Sequence, residues 1–202
     1  MKILPILSLS AFLVAMACVP AEAAWSPSIG VNIGTGHLGT PNVSPYHGDA
    51  IDMNHSVGSF VHRFSWGTSV GLYHWSYYSN WHYGGELLYQ NNGKDLSHGT
   101  LFSSYHIGLV GTTNYNFDSN WNLILKGGLA FVHQSVKSGQ GIERIKNTVR
   151  PLVSAGIGYN IQTNMKVTLM YNRLIGSAGR FDWSENNLLS QDNVSLGLHY
   201  AF

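Results

Sequence analysis

The end of the chain alternates between apolar residues and small or polar residues. Val194, Leu196, Leu198, Tyr200 and Phe202 share one face, and serine, glycine, histidine and alanine occupy the positions between them. A period of two is typical of a β-strand, whose successive side chains point to opposite sides of a sheet. The small face suits a narrow interior, and the apolar face ends in two aromatic residues, which favour membrane interfaces. The pattern predicts a strand that closes an outer-membrane barrel, with the terminal strand of a soluble sandwich as the alternative.

Seven earlier segments repeat this alternation, with aliphatic and aromatic residues on one face and mainly glycine, serine, threonine and asparagine on the other. Together with the last strand, the predicted strands span about residues 29–35, 60–75, 82–90, 105–117, 122–135, 148–161, 166–175 and 194–202. The interior of an eight-stranded barrel is only just wide enough for side chains to fill it. The clustering of glycines on one face therefore indicates that this face lines a lumen.

Three short polar segments separate pairs of these strands and share an asparagine. Asn80 and Asn120 are 40 residues apart, and Asn164 follows 44 residues later. Asn, Asp and Ser bond their own backbone in tight turns, so the repeat indicates hairpins. Longer polar segments alternate with these turns, at about 37–57, 91–104, 137–147 and 176–193. The sequence therefore predicts an all-β fold, an eight-stranded antiparallel up-and-down transmembrane β-barrel with short periplasmic turns and four longer extracellular loops.

The N-terminus has the pattern of a segment that is removed after export. Lys2 precedes an apolar run over residues 3–19, and Ala21-Glu22-Ala23 provides a small-x-small cleavage site. Residues 1–23 are therefore predicted to be a Sec signal peptide, and residues 24–202 the barrel domain. The single cysteine, Cys18, lies in the removed segment, so disulfides are not expected. Lipoprotein processing just before Cys18 is the alternative.

Composition excludes several classes of protein. A formal charge of +1 gives no basis for nucleic-acid binding, and a hydrophobic content of 44% argues against disorder. No run of eighteen apolar residues follows the signal peptide, so a transmembrane helix is not expected. A chain that crosses a membrane without helices has to close its strands into a barrel, because lipid does not tolerate open strand edges.

Glu86 and Lys126 are the most informative charged residues. Each follows the tryptophan of its turn, Trp81 or Trp121, by five residues, which places both at one height and pointing inward. A charge without a partner in a narrow interior is costly, so an ion pair is expected. Its role is either a gate in a thin water path or a polar plug that fills the interior. Further inward polar residues are predicted to extend the pair into a network: Arg63, His106 and Arg150 near the loops, and Tyr73 lower down.

Several segments resemble the OmpA, OmpX and opacity-protein group of eight-stranded outer-membrane barrels. They are Gly84-Gly85-Glu86-Leu87, Leu169-Met170-Tyr171 and the terminal Tyr200-Ala201-Phe202, besides the turns and the signal peptide. The resemblance implies an integral protein of the Gram-negative outer membrane, with Tyr200 and Phe202 recognised by the barrel assembly machinery. It also implies that Glu86 and Lys126 match the interior ion-pair positions of the group.

Two departures from this group limit the analogy. Met170 stands where OmpA-like barrels often have an inward acid, so a second carboxylate partner for Lys126 is missing. The chain also ends with the barrel, so we do not expect the periplasmic peptidoglycan-binding domain of full-length OmpA or a cell-wall tether.

The loops add weaker expectations. Around the third loop, a single acid, Glu143, stands among four basic residues, which are Lys137, Arg144, Lys146 and Arg150. Lipopolysaccharide phosphates would attract these basic residues. A loop that is simply solvated is the alternative. The first loop contains His47, Asp49, Asp52 and His55, but their spacing matches no defined metal site. No metal and no cofactor are therefore expected.

One alternative is enzymatic. His133 and Ser135 lie on the outward face of the fifth predicted strand, and Glu143 follows. A histidine that polarises a serine, with an acid that orients the histidine, is the minimum for acyl transfer. The arrangement is similar to the motif of lipid A deacylase barrels, which lies in their last hairpin rather than the third.

The expected function is consequently that of an integral outer-membrane barrel without catalysis, in a structural, surface-binding or narrow-pore role. Its expected partners are outer-membrane lipid, lipopolysaccharide, the barrel assembly machinery and an extracellular ligand of the loops. A lipid A-modifying acyl hydrolase that uses His133, Ser135 and Glu143 is the alternative.

Overall fold

Eight antiparallel strands form a closed barrel in the computed structural model, which describes residues 25–38, 63–74, 79–97, 100–137, 143–176 and 190–202. The strands are β1 (Trp25–Leu38), β2 (Arg63–His74), β3 (Trp81–Ser97), β4 (Thr100–Asn116), β5 (Trp121–Lys137), β6 (Glu143–Gln162), β7 (Met165–Leu174) and β8 (Gln191–Ala201). Each strand pairs with its neighbour in sequence, and β1 pairs with β8 from Ser28 opposite Ala201 to Leu38 opposite Gln191. The predicted fold class and the predicted closure by the last strand are confirmed.

Several predictions concern residues outside the described ranges. They are the signal peptide with Cys18, and His47, Asp49, Asp52 and His55 of the first loop. The structure also leaves the side chains of Arg63, Glu143 and Arg144 undescribed, although their backbones belong to strands. Within the described ranges, no helix is long and apolar enough to cross a membrane.

The segment predicted as a loop over 91–104 is mostly strand, which corrects the sequence analysis. β3 continues to Ser97 and β4 starts at Thr100, and these two residues pair. Asparagine and glycine made the segment resemble a loop, but they belong to an irregularity between Asn91 and Lys94, where Gly93 has a φ of 77°. Glycine takes this left-handed conformation without strain, and the Gly93 N–H donates to Asn91 Oδ1 at 2.9 Å.

Alternate residues of every strand form an apolar outer surface. Leu109 is 69% exposed on this surface and Phe64 66%, whereas Glu86 on the inner face is 1% exposed. Aromatic rings lie against one another near both ends of the barrel: Trp81 with Tyr115, Trp121 with Tyr159 and Tyr200 with Phe202 at the turn end, and Trp66 with Tyr89, Tyr89 with Tyr105 and Tyr105 with His133 at the other. An apolar band between two aromatic girdles is the surface of a barrel in a lipid bilayer.

The lumen is less uniformly polar than the alternation predicts. A buried apolar cluster occupies part of it, formed by Val110, Ala130, Val132, Leu152 and Leu174 with Leu88 packed against it. These residues occupy inward positions of neighbouring strands, where they exclude water from one side of the interior. The prediction that small and polar side chains line the lumen therefore holds for most of it but not for this region.

Inward glycines allow neighbouring strands to approach closely. A Cβ atom on Gly128 would lie 2.1 Å from the Leu109 carbonyl oxygen and 2.7 Å from Val110 Cα. An outward glycine is not crowded in this way, since a Cβ atom added to Gly127 would have no atom within 4 Å. Gly85, Gly111 and Gly127 pair side by side across β3, β4 and β5 on the outer surface.

The turn between β4 and β5 is held by a side chain. Asp118 Oδ1 accepts hydrogen bonds from the N–H groups of Asn120 and Trp121, both at 2.7 Å. These hydrogen bonds hold the pKa of Asp118 below its usual value of 3.8, and the bond from Trp121 has the larger effect. The shared Asn-Trp signature thus marks a tight turn, as predicted.

Adjacent glycines provide a matched test of this packing. We expect Gly128→Ala to lower the free energy of unfolding by about 1–3 kcal/mol, because its new methyl group meets backbone atoms that cannot move aside. Gly127→Ala should change it by less than about 1 kcal/mol, since its methyl group enters open space. Urea unfolding in lipid vesicles measures both values, and equal effects of the two variants would contradict the account of the inner glycines.

The Asp118 turn predicts a pH dependence. Because folding lowers the pKa of this carboxyl, its stabilising effect is present above the unfolded-state pKa and is lost as the pH falls through the folded-state pKa. We expect an NMR titration of the folded protein to give a midpoint for Asp118 below 3.8. Ser119→Ala leaves both N–H donors in place and should keep the low midpoint. A midpoint of 3.8 or higher in the unaltered chain would count against the turn geometry.

Candidate functional site in the lumen

An ion pair crosses the lumen from β3 to β5. Lys126 Nζ lies 2.6 Å from Glu86 Oε2, and the two side chains are 9% and 1% exposed. Both residues lie at nearly the same height in the barrel because of their partners on β4, the strand between them. Glu86 pairs with Val110, and Lys126 pairs with Thr112, which is the next inward position of β4. The structure therefore brings together the two residues that the sequence analysis singled out.

Three more side chains complete one layer with this pair. Tyr73 of β2 donates a hydrogen bond to Glu86 Oε1. Lys166 of β7 lies with its Nζ 5.8 Å from the centre of the Tyr73 ring, within the range of a cation–π contact. His199 of β8 pairs with Lys166 and is close enough to Lys126, Glu86 and Lys166 to interact electrostatically with each. We call Tyr73, Glu86, Lys126, Lys166 and His199 the charged layer.

Two cavities lie on either side of the charged layer. The upper one, of about 50 Å³, is lined by Glu86 and Lys126 and by amide side chains towards the loop end. The lower one, of about 30 Å³, is lined by Tyr73 and Lys166 and by the turn of residues 163–164. His199 lines both, so the charged layer is the wall between them. Each cavity exceeds the roughly 10–15 Å³ that one water molecule requires.

The upper cavity has a polar lining suited to water. Asn32 Oδ1, Gln90 Nε2 and Thr168 Oγ1 are buried atoms without a protein partner, and all three residues line this cavity. Buried polar atoms in proteins generally find a partner in protein or in ordered water. The cavity has room for water, which would complete the hydrogen bonding of these atoms, and we call it the upper chamber.

A hydrogen-bonded network spans the lumen above this chamber. Asn92 Nδ2 donates to Gln191 Oε1 at 2.7 Å, and Gln191 Nε2 donates to Ser104 Oγ at 2.6 Å. Asn193 Nδ2 donates to Ser65 Oγ at 2.5 Å. Gln191 thus connects β8 directly to β3 and β4, which lie across the lumen from it.

The remaining predicted lumen residues occupy different places. His106 lies in the upper network, with its Nδ1 3.3 Å from Asn92 Nδ2. Arg150 lies at an inward position of β6 opposite Ala130. The backbone of Arg63 pairs with Gly36 at the loop end of β2.

The predicted assembly signal lies at the turn end of the outer surface. The rings of Tyr200 and Phe202 meet edge to face with centres 5.2 Å apart, and Phe202 N–H donates to the Pro27 carbonyl at 2.9 Å. Recognition of these residues by the assembly machinery stays a prediction.

The residues of the hydrolase alternative have other partners. His133 Nδ1 lies 2.7 Å from Asn147 Oδ1, and its ring stacks on Tyr105 with centres 4.6 Å apart. Ser135 Oγ shares a hydrogen bond with Ser103 Oγ at 2.8 Å, and among the described residues none joins His133 to Ser135. The backbone of Glu143 pairs with that of Lys137. Lys137 is four residues beyond His133, which corresponds to about 13 Å along the strand.

Lys166 and His199 are the members of the charged layer that were not singled out from the sequence. Lys166 has the same parity as Thr168 and Met170, which are buried inside the barrel, so alternation along the strand is the signal that could have found it. It stands at the start of its strand, next to a turn, where charged residues are usually solvated. The side chain instead lines the lower cavity.

Closed topology, an apolar outer band and a lumen lined mainly by polar side chains define an integral outer-membrane barrel. The chain belongs to the family of the outer membrane protein beta-barrel domain, whose model matches residues 9–202. This membership confirms the resemblance to outer-membrane barrels and indicates the outer membrane of Gram-negative bacteria as the location.

Solved structures share the fold at low sequence identity. Neisserial surface protein A is similar with a TM-score of 0.54 at 15% identity, over 89% of this chain and 98% of that one. Ail, the attachment invasion locus protein of Yersinia pestis, gives 0.54 at 12% identity, over 88% and 97%. The N-terminal barrel of Pseudomonas aeruginosa OprF gives 0.52 at 12% identity, over 87% and 97%.

A protein of unassigned function from Coxiella burnetii is 29% identical over 118 residues. The match covers 48% of this chain and 46% of that protein, so the chain spans about half the length of this relative.

The buried ion pair predicts strong coupling between its two residues. We expect Lys126→Met to lower the free energy of unfolding by about 3–5 kcal/mol, because Glu86 stays buried without its partner. The double variant Glu86→Gln/Lys126→Met should recover most of this loss. Lys137→Met, an exposed lysine on the outer wall, is the matched control and should change it by less than about 0.5 kcal/mol. Additive effects of the Glu86 and Lys126 substitutions, measured by urea unfolding, would exclude the coupling.

Proposed function

We propose that the protein is a narrow outer-membrane pore that is closed at the charged layer. The observation that carries this proposal is the pair of cavities in one lumen, about 50 Å³ and 30 Å³, with His199 lining both. A structural plug would need no space of this size on either side. Here only side chains separate the two spaces, and no backbone segment crosses the lumen within the part of the chain that the structure describes.

The charged layer is built from side chains that can move. Lys126 reaches Glu86 with a flexible four-carbon chain and a single short contact, so a rotamer change releases it. Glycines let these side chains lie directly against the barrel wall: a Cβ on Gly71 would lie 2.8 Å from Glu86 Cγ, and one on Gly158 would lie 2.9 Å from Lys166 Cδ. Opening therefore requires side-chain motion without any rearrangement of the barrel.

The proposed role is not enzymatic. His133 and Ser135 are hydrogen-bonded to Asn147 and Ser103, which makes them a polar rim above the apolar band. Beside this rim, the exposed side chains of Lys94 and Lys137 suit the phosphates of lipopolysaccharide, which we propose as a lipid partner. We further propose that Tyr200 and Phe202 engage the assembly machinery and that the extracellular loops bind an external ligand.

Planar-bilayer recording tests the pore. We expect Glu86→Gln to raise the mean conductance of the purified protein about tenfold or more, because a close buried charge pair contributes about 1.5 kcal/mol or more of coupling. Asp118→Asn, which removes a carboxylate from the exposed turn, is the matched control and should leave conductance unchanged. Absence of conductance from both the wild-type protein and Glu86→Gln would exclude the pore.

A further inference from the structure

The lower cavity brings together three side chains with unused hydrogen-bond donors. Ser28 of β1, Lys166 of β7 and His199 of β8 all line it. Their strands are neighbours in the closed sheet, where Ser28 pairs with Ala201 and His199 pairs with Lys166. In the part of the chain that the structure describes, none of the three side chains forms a hydrogen bond or an ion pair. A hydroxyl, an ammonium group and an imidazole ring, each able to donate, therefore face one small space.

Lys166 supplies a positive charge that has no ion-pair partner. Its Nζ lies 5.8 Å from the centre of the Tyr73 ring, and an aromatic ring carries no net charge. Both oxygens of Glu86 are already bonded, since Oε1 accepts from Tyr73 and Oε2 lies 2.6 Å from Lys126 Nζ. Glu86 lines the upper cavity, and no carboxylate among the described side chains lines the lower one.

The charged layer as a whole keeps one positive charge. Its two lysines, Lys126 and Lys166, face the single carboxylate of Glu86, and His199 is neutral or positive in either protonation state. A cation withdrawn from water is costly unless opposite charge or hydrogen bonds compensate it. One monovalent anion beside Lys166 would make the layer neutral.

The lower cavity has the size and the access that a small ion requires. Its volume of about 30 Å³ holds roughly two species of the size of water, at about 10–15 Å³ each. The exposed turn residues Thr163 and Asn164 form part of its wall, so the cavity adjoins the aqueous phase at the turn end. An organic anion with several carbon atoms does not fit in this space.

We propose that the lower cavity binds one small monovalent anion of the chloride type. Lys166 supplies the charge, and Ser28 and His199 donate hydrogen bonds to the ion. The site lies on the turn side of the Glu86–Lys126 pair and needs access from that side alone. The proposal therefore goes beyond the pore and holds whether or not the charged layer opens.

Chloride titration followed by NMR tests the site. Protein folded in detergent micelles receives KCl in exchange for potassium gluconate at constant ionic strength, because the six-carbon gluconate ion is too large for the cavity. We expect the backbone amide signals of residue 166 and of His199 to shift and to saturate. Lys166→Gln should raise the dissociation constant of chloride about tenfold or more, since charged hydrogen bonds are the stronger ones. Ser28→Ala removes a neutral donor and should raise it about threefold.

Arg173→Gln is the matched control for the loss of charge. Arg173 is 52% exposed on the outer surface, so its removal should leave the dissociation constant unchanged. A heat-dependent shift on an SDS gel confirms that each variant is folded before the titration.

The outcomes decide the site separately from the pore. Absence of a saturable shift in the wild-type protein means that the cavity holds water only and overturns the proposal. A saturable shift that neither Lys166→Gln nor Ser28→Ala weakens also overturns it, because the ion then binds elsewhere. If Lys166→Gln does not fold, wild-type crystals soaked in bromide decide: an anomalous peak within hydrogen-bond distance of Lys166 Nζ supports the site, and its absence excludes it. Failure to conduct would exclude the pore and leave these results unchanged.

Discussion

Closure of the sheet is the constraint on which the rest of the structure depends. Lipid offers no hydrogen-bond partners, so every strand needs two neighbours, and pairing of β1 with β8 supplies the last one. Closing only eight strands makes the lumen so narrow that inward side chains contact those of opposite strands. Glu86 therefore meets both Lys126 and Tyr73, which lie on separate strands. The ion pair, the apolar cluster and the two cavities are all consequences of how this narrow space is filled.

Alternation predicted all eight strands because each strand faces lipid on one side and the lumen on the other along its whole path through the membrane. It did not predict where the strands end. Beyond the lipid, no apolar face is required, although the backbone still pairs, so the paired ends at Ser97 and Thr100 have the composition of a loop. Physical patterning thus identifies the membrane-spanning part of a strand, whereas its extension outside the membrane depends on backbone pairing that composition does not encode.

Equal distances from two turns were enough to predict that Glu86 and Lys126 meet, because only β4 separates them. Lys166 was accessible by the same alternation, but its contact with Tyr73 crosses the lumen between β7 and β2. Contacts of this kind depend on the stagger of all the strands, which no single segment contains. The composition of the inner face can be predicted from sequence, whereas the pairing across it requires the closed barrel.

The upper hydrogen-bonded network also bears on how the barrel assembles. Gln191 and Asn193 belong to the last strand, yet their partners Asn92, Ser104 and Ser65 are separated from them by 99, 87 and 128 residues. Contacts between residues so far apart in sequence form slowly, because a long chain segment has to be ordered first. An assembly intermediate that lacks β8 has an open edge and an incompletely bonded interior at the same time. Arrival of the final strand resolves both defects in one step, which makes completion of this barrel cooperative and late.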